Sequence, residues 1–129
     1  MPSYLFPYKE GDDADLRKTE LLKGSTEMVL LSLLAQKDMY GYEMIEQLKQ
    51  LSDGYLHYKE GMLYPALKRL EEKEYLNSYW QDSIEGPKRK YYYATKVGIA
   101  QFQDQWEEWN AFQDLIRKVV SHTYEHTQK

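Results

Sequence analysis

A mainly α-helical fold with a small two-stranded antiparallel hairpin is predicted by three features of the sequence. Apolar residues recur at helical spacing in four segments. Two runs rich in Tyr and Trp, residues 76–81 and 89–94, flank a stretch of turn-forming residues at 82–87. The last helical segment, residues 96–120, is far longer than the others and repeats its apolar positions in heptads.

Residues 1–20 are polar, contain Pro2, Pro7 and Gly11, and include the acidic run Asp12-Asp13-Ala14-Asp15, so they read as a flexible N-terminal arm. The first helix is expected over residues 22–36. Its residues Met28, Val29, Leu30, Leu31, Leu33 and Leu34 cover more than one face, and a helix apolar nearly all round is buried on two sides. In so small a chain the second side points to a partner subunit. Residues 38–41 read as a turn, where Gly41 suits a close approach or an unusual backbone angle. The second helix, residues 42–51, sets Met44, Ile45, Leu48 and Leu51 on one stripe and stops at Ser52-Asp53-Gly54.

The third helix, residues 61–73, turns Leu63, Ala66, Leu67 and Leu70 inward and Tyr64 and Lys68 outward, with Arg69 nearer the edge. Pro65 lacks an N–H and is therefore expected near the start of this helix. Thr95 is placed to cap the fourth helix. There Ile99, Phe102, Trp106, Trp109, Gln113, Ile116 and Val120 alternate spacings of three and four, a heptad seam broken once by Gln113. Phe112, Leu115 and Val119 widen the stripe. A small core cannot cover a helix of this length, so much of the seam is expected to face another chain. Residues 122–129 form a polar tail.

The 129 residues fit one domain, and a 42% hydrophobic content with thirteen Tyr supplies a real core, which excludes disorder of the body. With no Cys there is neither a disulfide framework nor a thiolate metal site, in keeping with a reducing compartment. No apolar run approaches the roughly 18 residues of a membrane span, and no basic stretch followed by an apolar core opens the chain. The expectation is a cytoplasmic protein with no membrane partner. The net charge of −4 disfavours a polyanion, but the charge is uneven: residues 1–56 hold six Lys/Arg against ten Asp/Glu, whereas residues 57–93 hold seven against six. Phosphate contact depends on that local balance.

Three short helices followed by a hairpin with a basic tip are the plan of a winged helix-turn-helix. The residues that carry it are Leu22-Lys23-Gly24, Met39-Tyr40-Gly41-Tyr42-Glu43, the run from Gly61 to Glu71, and Arg89-Lys90-Tyr91-Tyr92 followed by Thr95 and Gly98. Together and in this order they resemble the signature of PadR-type transcriptional regulators, over about residues 21–120. The resemblance implies a compact subfamily with a single long dimerisation helix after the wing. It also implies a homodimer, a repressor role and, in many members, a small-molecule inducer. The corresponding division is an arm at 1–20, a DNA-binding domain at 21–94, a dimerisation helix at 95–121 and a tail at 122–129. Two positions depart from the family pattern: Met62 stands where Ser or Thr is usual and cannot donate a hydroxyl hydrogen bond, and Ala94 stands where Leu is usual.

The third helix is the candidate recognition helix, its N-terminal residues nearest the bases. Tyr64 and Lys68, one turn apart, suit phosphate oxygens. Lys59, Glu60 and Met62 sit at its leading end, and Arg69 at its edge. Lys88 and Arg89 are the candidate wing contacts, while Lys90 alternates to the other face and can cover Tyr side chains. Against this stand blander readings, a solvated helix face and ordinary charging of an edge strand. The dimer seam is assigned to Ile99, Phe102, Trp106, Trp109, Ile116 and Val120. Interface packing explains the two Trp, but their indole faces can also stack a small aromatic or hydrophobic effector, with Met28, Ser32 and Gln113 lining the same space. On the family resemblance Trp109 is the better match.

His122 and His126 are four residues apart but lack a third ligand nearby, so no metal and no cofactor is expected. No catalytic constellation is present either, which excludes an enzyme. The expected partners are double-stranded DNA with a pseudo-palindromic operator and a second copy of the chain. The alternative is a winged helix that binds another protein and never touches DNA.

Overall fold

Residues 12–127 are described by a computed structural model. In chain order it has α1 (Asp12–Gln36), β1 (Met39–Tyr40), α2 (Gly41–Leu51), α3 (Glu60–Glu72), β2 (Leu76–Ser83), β3 (Gly86–Ala94) and α4 (Lys96–Thr127). The winged helix-turn-helix plan and the long last helix stand as expected. The hairpin is larger than expected, because Met39–Tyr40 pairs with Tyr91–Tyr92 and makes a three-stranded antiparallel sheet of order β1-β3-β2. Residues 39–40, read from sequence as part of a turn, are thus an edge strand too short to leave a periodic signal.

The limits of the first and last helices also move, and both wing strands run into the expected turn at 82–87. Residues 12–20 of the expected arm are helical and belong to α1, and residues 1–11 lie outside the described residues. At the other end, α4 runs on through the expected polar tail to Thr127. Pro65 is the sixth residue of α3, one residue further from the helix start than the expected bounds placed it. Its missing N–H leaves the Gly61 carbonyl without an intrahelical donor; Gly61 is exposed, so water can supply one.

The core is built around the C-terminal half of α1. Leu30, Leu31, Leu33 and Leu34 are all essentially inaccessible within one chain, because α3, β3 and α4 pack around them. The all-round apolar character therefore needs no partner subunit, contrary to the sequence expectation. The stripe Leu63, Ala66, Leu67 and Leu70 of α3 is fully buried, as are Met44 and the neighbouring Ile45 and Leu48 of α2. Leu51 departs from its expected stripe and is 68% exposed. Tyr58, in the loop before α3, is also buried, and burial raises its pKa; its hydroxyl faces Ser25 and Thr26.

Two junctions fix the angles between elements. At the end of α3, Glu74 adopts φ 62°; its N–H donates to the Glu71 carbonyl at 2.9 Å, and the Tyr75 N–H donates to that of Leu70 at 3.0 Å. This is a Schellman cap with Glu where Gly is the unstrained choice. At the start of α4, the Thr95 hydroxyl donates to the Glu74 carbonyl at 2.7 Å and accepts from the Gly98 N–H at 3.0 Å, which makes Thr95 the N-cap as expected. Gly98 packs against the Tyr75 backbone so closely that any Cβ would collide with the Tyr75 carbonyl oxygen.

Gly98→Ala is expected to destabilise the chain by about 3 kcal/mol, since a backbone atom cannot swing aside. Glu74→Gly, by relieving the left-handed conformation, is expected to stabilise it by about 0.5–1 kcal/mol. Urea denaturation midpoints should therefore move in opposite directions.

Candidate nucleic-acid interface

One flank of α3 faces the wing. Tyr64, Lys68, Glu71 and Glu72 form one wall of a cleft, and Lys90 and Tyr92 of β3 form the other. Glu71 holds the two walls together. Its carboxylate pairs with Lys90 at 3.5 Å and accepts from the Ser78 hydroxyl at 3.4 Å, so both wing strands are tied to α3. The Lys90 ammonium also lies 5.3 Å from the centre of the Tyr92 ring, the tyrosine-covering role expected of it. Burial raises the pKa of Tyr92, while the Lys90 charge acts in the opposite direction.

Tyr64 links this cleft to a second one. Its ring lies on Gly41, where a Cβ would come within 2.5 Å of the Tyr64 hydroxyl oxygen. The expected close approach at Gly41 is thus made, and it is made by a side chain of α3. The second cleft is lined by Tyr64 together with Tyr40, Tyr42, Trp80 and Arg89. The Arg89 guanidinium stands 4.5 Å from the centre of the Tyr40 ring, and that ring meets Tyr91 edge-on at 5.4 Å. Tyr91 stacks in turn on Tyr79, whose hydroxyl donates to Asp38 at 2.8 Å. That hydrogen bond raises the pKa of Tyr79 above the usual tyrosine value. The outer wing face is therefore a tyrosine platform that orients Arg89.

The predicted DNA contacts divide into two groups. Tyr64, Lys68 and Arg89 border the α3–wing clefts. Lys88 is exposed further out on the wing, 3.9 Å from an equally solvated Asp82. Lys59, Met62 and Arg69 line a different cleft, on the α1 side of α3. Met62 is half-buried against the core cluster, so it does not stand with Tyr64 and Lys68 at the solvent face. Glu60 is exposed at the first position of α3. Sequence reading missed Tyr42 and Trp80, which are 59% and 65% exposed beside Tyr64 and Arg89. The alternation of Trp80 with Tyr79 along β2 was the available signal.

The predicted effector residues are also split. Met28, Ser32 and Trp106 line an apolar cleft of about 310 Å³ with Leu51 and Phe102. Trp109 instead faces a cleft of about 530 Å³, reached from the other side of Met28. Gln113 lines neither of these two clefts. Along the predicted dimer seam, Ile99, Phe102 and Trp109 are half-buried, while Trp106, Ile116 and Val120 are 48%, 46% and 38% exposed in the single chain. Gly98 is the only buried residue among those described in α4.

The sequence profile of the transcriptional regulator PadR-like family matches residues 30–104, more than half of the chain. The chain belongs to the PadR-like family. An uncharacterized Lysinibacillus sphaericus protein is 32% identical over 99 residues, which cover 77% of this chain and 91% of that protein. A transcriptional regulator from Clostridium thermocellum superposes with a TM-score of 0.71 at 33% identity, over 77% of this chain and 96% of its own. A PadR family regulator from Eggerthella lenta gives 0.73 at 29% identity, over 84% and 93%. A PadR-like regulator from Bacillus cereus gives 0.68 at 30%, over 78% and 96%. As a PadR-like protein the chain is a transcriptional regulator and not an enzyme. The family match ends near Asp104, so the seam from Trp106 onward is read from this chain's own residues. Among the described residues no helix is long and apolar enough to cross a membrane.

Proposed function

We propose that this PadR-like regulator is a cytoplasmic homodimeric repressor that reads double-stranded DNA with α3 in the major groove and β2–β3 beside it. The observation that carries the reading is the joint exposure of Tyr64, Lys68 and Arg89 around one pair of clefts, with Lys68 and Arg89 in no ion pair among the described residues. An unpaired cation keeps its charge available to a phosphate, and release of the DNA counterion supplies the driving force. Lys88, Lys59 and Glu60 extend the surface along the wing and the leading turn of α3.

The stripe of α4 that carries Ile99, Phe102, Trp106, Trp109, Ile116 and Val120 is the dimer seam. Two-fold symmetry then presents two copies of α3 to half-sites of a pseudo-palindrome, about 34–36 Å or a multiple of that apart. Residues 21–94 serve as the DNA-binding part and 95–121 as the dimerisation helix. The cleft of Met28, Ser32 and Trp106 lies beside this seam, and Trp109 lies on its other flank. A planar hydrophobic effector seated there, preferring one arrangement of the two α4 helices, shifts the separation of the reading heads and releases DNA.

Fluorescence anisotropy with the chain's own upstream duplex tests this. Lys68→Ala and Arg89→Ala should each weaken binding about ten-fold and make the dependence of log K on log salt shallower by about 1. If the wild-type chain prefers no duplex and these variants change nothing, the alternative of a protein-binding winged helix takes its place. Ile116→Glu with Val120→Glu should turn the dimer into monomers at micromolar concentration by sedimentation, with operator binding weakened at least ten-fold. If the double variant sediments as the wild type, α4 is not the seam.

A further inference from the structure

The flank of α3 turned away from the wing carries a second basic feature, of which the reading surface described above takes in only Lys59. Between the N-terminal half of α1 and the leading turns of α3 lies an open cleft of about 900 Å³. Its rim holds Lys18 and Lys23 from α1, His57 and Lys59 from the loop before α3, and Arg69 from α3. No Asp or Glu among residues 16–127 lines it. Nor does any carboxylate among residues 16–127 come within ion-pair distance of Lys18, Lys23, Lys59 or Arg69, although Lys37, Lys73, Lys88, Lys90 and Arg117 all have such partners. In a chain of net charge −4, this concentration of uncompensated cations marks a place for an anion.

We infer that this cleft receives the sugar–phosphate strand of DNA on the side of the major groove opposite the wing. The inference rests on the DNA-reading proposal above. Three features choose a strand over a small free anion. First, the cations are spread along the cleft: Lys18 and Lys23 lie about 7.5 Å apart along the axis of α1, far enough to meet different phosphates. Second, the surface between them includes Leu22, Met62 and Pro65, apolar groups suited to deoxyribose. Third, the cleft and the wing lie on opposite flanks of one helix, so seating α3 in the groove brings each against one of the two bordering strands. Lys18 is held on this side by the Tyr55 ring, 4.6 Å from its ammonium. In this arrangement Arg69 and Lys59 are phosphate contacts that position the helix, and Met62 is a packing surface instead of a base reader.

The test is a salt series on operator and unrelated duplexes with four proteins: wild type, Lys18→Ala with Lys23→Ala, Arg69→Ala, and Lys68→Ala. The α1 double variant changes exposed or half-exposed side chains only, so its fold can be checked by circular dichroism. It should lower the salt slope by about 2 and weaken both duplexes by the same factor, and Arg69→Ala should lower the slope by about 1. A wild-type slope in these variants, alongside a shallower slope in Lys68→Ala, overturns the cleft and leaves the reading surface standing. Absence of duplex binding by the wild type overturns both. In a parallel titration without DNA, pyrophosphate is added while the His57 ring signals are followed by NMR. If those signals shift while the salt slope of the double variant stays that of the wild type, the cleft takes free phosphate compounds and the DNA-strand assignment falls.

Discussion

The rest of the structure depends on the packing of one helix half. Leu30, Leu31, Leu33 and Leu34 are all buried, and α3, the wing strand β3 and the long α4 pack around the helix that carries them. Helix α3, the wing and helix α4 are thus all positioned from a single rod. A core this close-packed does not deform continuously. The geometry of the reading surface is therefore inherited from apolar packing some way from any polar contact.

Charge follows a different logic. The whole chain is acidic, yet its cations are sorted by whether a carboxylate meets them. Lys90 is used internally, holding the wing to Glu71, and Lys73 holds α3 to Glu27 of α1. Lys68 and Arg89 on one flank of α3, and Lys59 and Arg69 on the other, are left uncompensated. Exposed ion pairs add little stability; here their larger effect is to decide which positive charges stay available to a partner.

Much of this was legible in the sequence, and the gaps have physical reasons. The buried stripe of α3 and the Thr95 cap could be read because period and capping chemistry are local. Strand β1 could not, because two residues carry no alternation. The helical character of residues 12–20 was hidden because that stretch lacks an apolar face to mark it. Met62 was read from its leading position on the helix, whereas its side chain packs half-buried against the core. Trp106 and Trp109 share a seam in sequence, yet three residues on a helix differ by about 60° in direction, enough to send them to different clefts on either side of Met28. Glu71 left no signal of its clamping role, since its partners Ser78 and Lys90 come from two other elements.

The way α4 leaves the domain has a mechanical consequence. It spans 32 residues, and its first turn is held tightly by Thr95 and Gly98 on the corner after α3. A straight helix of that length is about 48 Å long, so a tilt of about 5° at its root carries the far end about 4 Å. A displacement too small to disturb the leucine packing at one end becomes a movement of atomic diameter at the other.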